Sequence, residues 1–288
     1  MFKVAMDINK QKIKNIILVV IDFIKKFLFL SNLSKVELQG FIKPLTRFRL
    51  MPYTKIEAPY ILGRTVRGVS FDGNITLDPA GRLCMDVFSD EDCKTAVSNL
   101  SPVFEKQKDM SAADIVNLSN NITLKKYPVW ALVMPWEKLN IEEMFESYPR
   151  IFYKNRSDQG LIFEDKSRSS IIKTMYSPKF IENRVNQMNK LYESIMRQGF
   201  LQDSNLPKIN ILVKENEWRW FMGDGGNHRS YVLCFLGHEF FNARVSSIIN
   251  KNEVNKWHNV RNGTYSVSDA ESIFDSYFDG SKVHRGMV

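Results

Sequence analysis

The chain of 288 residues has few cysteines, no long uncharged apolar run and no low-complexity linker. Its three cysteines (Cys84, Cys93 and Cys234) form no CxxC pair. A disulfide scaffold and a structural zinc site are therefore disfavoured, and we expect a reducing, cytoplasmic location. The most apolar segment, 11–30, is interrupted by charges before it reaches the ~20 residues that a membrane span needs, and no small-residue cleavage site follows it. A spanning helix and a cleaved signal peptide are both disfavoured.

The positive charge is confined to the first quarter of the chain. The net charge is +8, and residues 1–67 hold 13 Lys and Arg against 4 Asp and Glu. Residues 68–288 hold the remaining 27 basic and 28 acidic side chains, so they are close to neutral. This distribution describes a basic amino-terminal region joined to a near-neutral body. It disfavours a nucleic-acid partner for the body, because such a partner requires a basic surface.

Residues 11–30 alternate with the period of an amphipathic helix. One side carries polar and basic residues that include Lys14 and Lys25, and the other carries apolar residues that include Ile17 and Phe27. The pattern predicts a basic amphipathic helix within residues 1–35. Two interpretations remain open: a peripheral contact with the inner face of an anionic membrane, or packing against the body or a second copy.

Residues 36–135 contain mixed short elements, which predict an α+β amino-terminal region. Turn signals lie at 72–74 and 78–81 between short β-prone runs. A helix is predicted over 89–100, another opens at Ser111, and a buried strand is predicted over 127–133. We place a boundary near 125–140, after which residues 136–288 form a second region.

The second region alternates helices and strands, which predicts an α/β or α+β fold. A core-facing helix is predicted from its N-cap Ser177 to its stop at Gly199. The elements predicted after it are strands at 209–213 and 218–222, a helix at 230–236, a strand from Phe240, and a last helix that ends at Phe278.

A glycine-rich segment, Gly223-Asp224-Gly225-Gly226-Asn227-His228-Arg229, joins the second of these strands to the short helix. Glycines allow the backbone to approach an anion, and the first N–H groups of a helix have no intrahelical partner. A phosphate cradle is one interpretation and an ordinary tight turn is the other. In the phosphate interpretation, the planar guanidinium of Arg229 donates paired N–H groups to phosphate oxygens, and His228 donates a hydrogen bond or relays a proton. Asp224 either binds a metal ion or caps the loop.

The box Asp224-Gly225-Gly226-Asn227-His228-Arg229, with its flanking hairpin, helix and strand, resembles the signature of the ParB/sulfiredoxin superfamily. The resemblance covers residues 175–250 and implies a ParB/sulfiredoxin-like nucleotide-binding domain over 136–288. It implies that ATP or ADP, with Mg²⁺, is held by its phosphates. The candidate nucleotide-binding residues are Gly225, Gly226, Asn227, His228, Arg229 and Ser230.

Departures from the family pattern select among its branches. Asn227 occupies the position of the sulfiredoxin catalytic cysteine, so sulfinic-acid reduction is disfavoured. About 40 residues follow Ile249, too few for the DNA-binding domain of the chromosome-partition branch. The branch of small-molecule kinases remains, and it implies phosphoryl transfer to a hydroxyl of a small molecule or saccharide. A non-catalytic nucleotide-binding switch or adaptor is the alternative, and a ParB-like DNA-binding protein is a third, less favoured interpretation.

Phosphoryl transfer requires a general base that deprotonates or orients the acceptor hydroxyl. The polar segment 148–168 provides three candidate carboxylates, Asp158, Glu164 and Asp165. His228 of the box is the fourth candidate catalytic residue. We interpret this segment either as a substrate loop or as a solvated surface loop.

Overall fold

A computed structural model describes residues 55–65, 68–71, 93–199, 206–223 and 227–280. The predicted helix within 1–35, the turns at 72–81, and Asp224, Gly225 and Gly226 of the box lie outside the described residues.

The described chain mixes helices and strands, as predicted. The strands are β1 (Lys55–Pro59), β2 (Gly63–Arg64), β3 (Lys208–Lys214), β4 (Glu217–Met222) and β5 (Phe240–Asn250). The helices are α1 (Cys93–Lys108), α2 (Ala112–Ile115), α3 (Ile122–Lys125), α4 (Ile141–Ser157), α5 (Arg168–Met175), α6 (Pro178–Gln198), α7 (Asn227–Phe235), α8 (His258–Arg261) and α9 (Val267–Asp279). No helix in these ranges is long and apolar enough to cross a bilayer.

The long helix α6 confirms its predicted ends. The side chain of Ser177 accepts a hydrogen bond from the backbone N–H of Phe180, which otherwise has no intrahelical partner. Pro178 occupies the first helical position, where a missing N–H costs nothing. Gly199 ends the helix with φ +70°, a conformation that favours glycine. The last helix begins after Ser266, whose side chain accepts a hydrogen bond from the N–H of Asp269.

The five strands form one curled sheet in the order β1-β5-β3-β4-β2. The hairpin partners β3 and β4 are antiparallel, whereas β5 returns through α7 to lie parallel to β3. Only Tyr60–Leu62 separate the two edge strands along the chain, so the edges must curl toward each other. Since β1 and β2 pair with β5 and β4, residues from both predicted regions share this sheet.

The alternation of side chains on the sheet separates two apolar cores. Ile209, Ile211 and Val213 of β3 face a core that includes Ile181 and Val185 of α6, together with residues of α1 and α7. Leu212 and Phe221 face the opposite core, which contains α9 and residues 112–141. A smaller third core lies between α4, α5 and the start of α6. Helix α6 therefore contributes to two of these cores: it shares one with α7 and another with α4.

Two local predictions are wrong. Residues 127–133 do not form a strand; Val129–Ala131 form a 3₁₀ turn that places the Trp130 ring 5.2 Å from Phe145 of α4 in a stack. The first ten residues of the presumed loop 148–168 belong to α4. A reciprocal capping box between Asn140 and Glu143 begins this helix, and its apolar stripe continues past Pro149. Tertiary packing thus overrides the local polar composition.

Candidate functional site

Helix α7 begins within the box, at Asn227, and the core holds its position. Tyr231, Val232 and Leu233 are buried in the core beside α6. The Tyr60 hydroxyl donates a 2.9 Å hydrogen bond to the carbonyl oxygen of Ser230. At the entry to the box, the N–H of Gly223 donates to the carbonyl of Lys208 at 2.8 Å. These contacts fix both sides of the segment that carries His228.

Arg184 reaches His228 from α6. Arg184 lies three residues after Ile181 and four before Met188, both buried, so it occupies the core-facing side of the helix. Its Nη2 contacts both ring nitrogens of His228, and its Nη1 donates to Oε1 of Gln187 at 2.9 Å. The contact joins α6 to the first turn of α7.

Arg156 approaches the same place from the last turn of α4. Its guanidinium lies 5.7 Å from the ring centroids of both Phe152 and Phe180, and its Nη1 donates to Gln159 at 2.6 Å. Its Nε is buried and has no hydrogen-bond partner among the described residues. We call Arg156, Arg184 and His228 the basic cluster.

Burial and mutual repulsion govern the electrostatics of the basic cluster. Burial, followed by the charges of Arg184 and Arg156, lowers the pKa of His228 from 6.5 to about 3. Burial and the charge of Arg156 lower the pKa of Arg184 to about 9, so Arg184 remains charged at neutral pH. Burial also lowers the pKa of Arg156. The cluster therefore holds two guanidinium cations and one neutral imidazole.

The basic cluster has no acidic partner within the described ranges. None of the ion pairs there involves Arg156, Arg184 or His228, whereas exposed cations such as Lys173 and Arg197 do pair with carboxylates. Bringing like charges together in a partly desolvated place is unfavourable unless an opposite charge joins them. A bound anion would supply that charge and could accept the hydrogen bond that the Nε of Arg156 leaves unmade.

The structure brings one predicted catalytic residue, His228, into this cluster. Arg229 follows it in the first turn of α7 and has interactions of its own. Ser230 is fully buried, and its carbonyl is bonded to Tyr60, which places its backbone in the core. Asn227 begins the helix, and the three preceding residues of the box lie outside the described residues.

The three candidate carboxylates lie on the surface. Asp158 follows the last turn of α4 and is exposed. Glu164 forms an exposed 3.0 Å ion pair with Lys173. Hydrogen bonds from the side chain of Ser167 and from its backbone N–H, the second 2.6 Å long, lower the pKa of Asp165. None of the three forms an ion pair with the basic cluster.

Arg156 and Arg184 are the site residues that the sequence analysis missed. A usable signal was present, because each arginine interrupts an otherwise apolar helical stripe. Arg156 lies four residues after buried Phe152, and Arg184 lies between buried Ile181 and Met188. A charged residue on a core-facing stripe needs a polar partner, and here the two arginines converge on His228.

Metal ligands are not gathered at this site by the residues that the structure describes. No group of three or more His, Cys, Asp or Glu side chains within these ranges could hold a metal ion. Asp224, the candidate ligand for Mg²⁺, lies outside them. Comparison of the chain with protein-family models, curated proteins and solved structures finds no match.

Proposed function

We propose that this chain is a nucleotide-dependent phosphotransferase that binds the phosphates of ATP or ADP at the basic cluster. The phosphates would lie beside the first turn of α7, and the transferred group would pass to a hydroxyl of a small molecule or saccharide. The observation that carries the proposal is the convergence of Arg156, Arg184 and His228 without an acidic partner in the described chain.

The chemistry of this cluster suits phosphate. A guanidinium presents several N–H donors in a planar fork that matches two phosphate oxygens. The amino-terminus of α7 adds a positive potential in the same place, because the positive end of the helix dipole lies there. Since phosphoryl transfer depends largely on positioning and charge neutralisation, a group of cations around the phosphates is the main requirement.

The order of elements around the cluster supports a ParB/sulfiredoxin-like domain within 136–288. A long helix α6, the β3–β4 hairpin, the box, α7 and β5 follow one another as the resemblance implies. Asp224 is proposed to bind Mg²⁺ because carboxylate oxygen is the ligand that this ion prefers.

Calorimetric titration of the full chain with ADP and ATP, with and without Mg²⁺, tests the binding site. We expect Arg184→Met to weaken nucleotide binding by about 10- to 150-fold, the loss of a hydrogen bond to a charged group. Arg197→Met is the matched control, since Arg197 lies on the same helix and its side chain is 74% exposed. If the wild-type chain binds neither nucleotide, the proposal is wrong.

A transfer assay separates the proposed enzyme from a non-catalytic nucleotide-binding switch. The second candidate is favoured by the exposed positions of Asp158, Glu164 and Asp165, which make surface contacts. Incubation with γ-labelled ATP and a panel of hydroxyl amino acids and saccharides should produce a labelled acceptor if the chain is a transferase. Tight nucleotide binding with no label transferred to any acceptor would support the switch.

A further inference from the structure

The contact between Arg184 and His228 restricts the protonation of the imidazole. A guanidinium carries only N–H donors, whereas a neutral imidazole has one nitrogen that accepts. Nη2 of Arg184 contacts both ring nitrogens of His228. A doubly protonated imidazolium would present only donors to this donor, so Arg184 can donate a hydrogen bond to His228 only when the imidazole is neutral.

The two charged groups that act on His228 both oppose its protonation: Arg184 approaches it from α6 and Arg156 from α4. Arg229 is the next residue of its own helix. The phenol of Tyr148, also on α4, raises the pKa values of both Arg156 and Arg184. In the described part of the chain, no carboxylate pairs with the imidazole to favour its charged form.

A bound anion would remove both the contact with Arg184 that restricts the imidazole and the repulsion that opposes its protonation. A phosphate oxygen is a better acceptor for Arg184 than an imidazole nitrogen, because the bond joins opposite charges. When Arg184 bonds to phosphate, the imidazole nitrogen that it held becomes free to accept a proton. The phosphate charge also offsets the repulsion from Arg156 and Arg184.

We propose that phosphate binding at the basic cluster is coupled to protonation of His228, which exchanges its contact with Arg184 for a hydrogen bond donated to the bound phosphate. The proton comes from solvent, and no covalent bond is formed or broken. This inference rests on the proposed function, since it requires a phosphate to bind here. It adds that the affinity for the nucleotide depends on pH through the imidazole of His228.

The coupling has a definite sign. His228 has a low pKa in the unliganded protein and a higher pKa in the complex. At pH values between the two, nucleotide binding takes up a proton, so the affinity for the nucleotide falls as pH rises. The fall is at most about tenfold per pH unit and ends above the pKa of the complex. In the same range the terminal phosphate of ADP also titrates, so the contribution of His228 must be isolated by a variant.

Calorimetry of the full chain with ADP at pH 6, in buffers of different ionisation enthalpy, counts the protons taken up on binding. We expect wild type to take up about 0.5–1 proton more per ADP than His228→Asn, because the titration of ADP is common to both. His238→Asn is the matched control, since His238 is exposed. It should retain the wild-type uptake.

A second variant tests the coupling without altering His228. In Arg184→Met, free His228 should titrate closer to its ordinary pKa, followed through its imidazole resonance in NMR spectra, and proton uptake on ADP binding should fall. Equal proton uptake by wild type and His228→Asn would overturn the coupling while leaving the nucleotide site intact. An unchanged His228 titration in Arg184→Met would also overturn it. If wild type does not bind ADP, both this inference and the proposed function fail.

Discussion

The neutral state of His228 should make the unliganded protein sensitive to acid. In the unfolded chain this imidazole titrates near its ordinary pKa of 6.5, whereas burial and the neighbouring arginines hold the folded pKa at about 3. Between these values the unfolded chain binds more protons than the folded protein. The free energy of unfolding therefore decreases as pH falls from 6.5 toward 3, and this contribution is fully present above pH 6.5.

The size of the effect follows from one titrating group. Each pKa unit corresponds to about 1.4 kcal/mol, so the largest loss from His228 between pH 6.5 and 4.5 is about 2.7 kcal/mol. Asparagine does not titrate. Over this pH range the free energy of unfolding of His228→Asn should therefore fall by less than that of wild type, by a difference of up to this amount. The aspartates whose pKa is lowered, Asp165 and Asp275, act at lower pH and are present in both proteins.

Urea unfolding followed by tryptophan fluorescence measures this difference, because Trp218 and Trp220 are buried and become exposed on unfolding. The series would run from pH 4.5 to 7.5 for wild type, His228→Asn and the control His238→Asn. Only the differences in pH dependence are compared, so a uniform loss of stability in one variant does not matter. Parallel curves for wild type and His228→Asn would refute the argument that His228 is held neutral in the folded protein.

Other residues and segments carry further expectations. Among single amide substitutions of the three candidate carboxylates, the one that removes the general base should keep nucleotide affinity within a few-fold and lower turnover by about 10²–10⁴-fold, and full turnover in all three would exclude them as the base. They are Asp158→Asn, Glu164→Gln and Asp165→Asn. Deleting residues 1–30 should abolish co-sedimentation with anionic vesicles, whereas wild-type binding that is unaffected by salt would contradict an electrostatic contact. Asn259→Ala should lower the free energy of unfolding by about 3 kcal/mol in urea titrations, because buried Asn259 donates to the carbonyls of Met134, Glu137 and Leu139. A loss below about 1 kcal/mol would contradict this role.

Local patterns in the sequence were sufficient for the strongest elements. The spacing of Ile181, Val185 and Met188, with Ser177 before them and Gly199 after them, predicts α6 with its correct ends. The hairpin of β3 and β4 and the helix after the box follow from short-range signals of the same kind. These predictions succeed because caps, glycine stops and apolar periodicity act within one or two turns of the chain.

Short apolar runs and mixed polar segments were predicted less well. Residues 127–133 have the composition of a buried strand, yet Trp130 stacks on Phe145 in a different conformation. Segment 148–168 has the composition of a loop, yet α4 extends through Ser157 because its apolar side packs on α5 and α6. In both cases contacts with distant residues outweigh weak local preference.

The sequence alone determined His228 as a candidate, because the box combines glycines, a helix start and basic residues within a few positions. Only the tertiary structure brought Arg184, 44 residues earlier, into contact with it, and placed Arg156 of a third helix beside them. A sequence pattern records neighbours along the chain, whereas repulsion and burial depend on distances in space. The absence of an acidic partner for this cluster among the described residues is therefore a property of the fold.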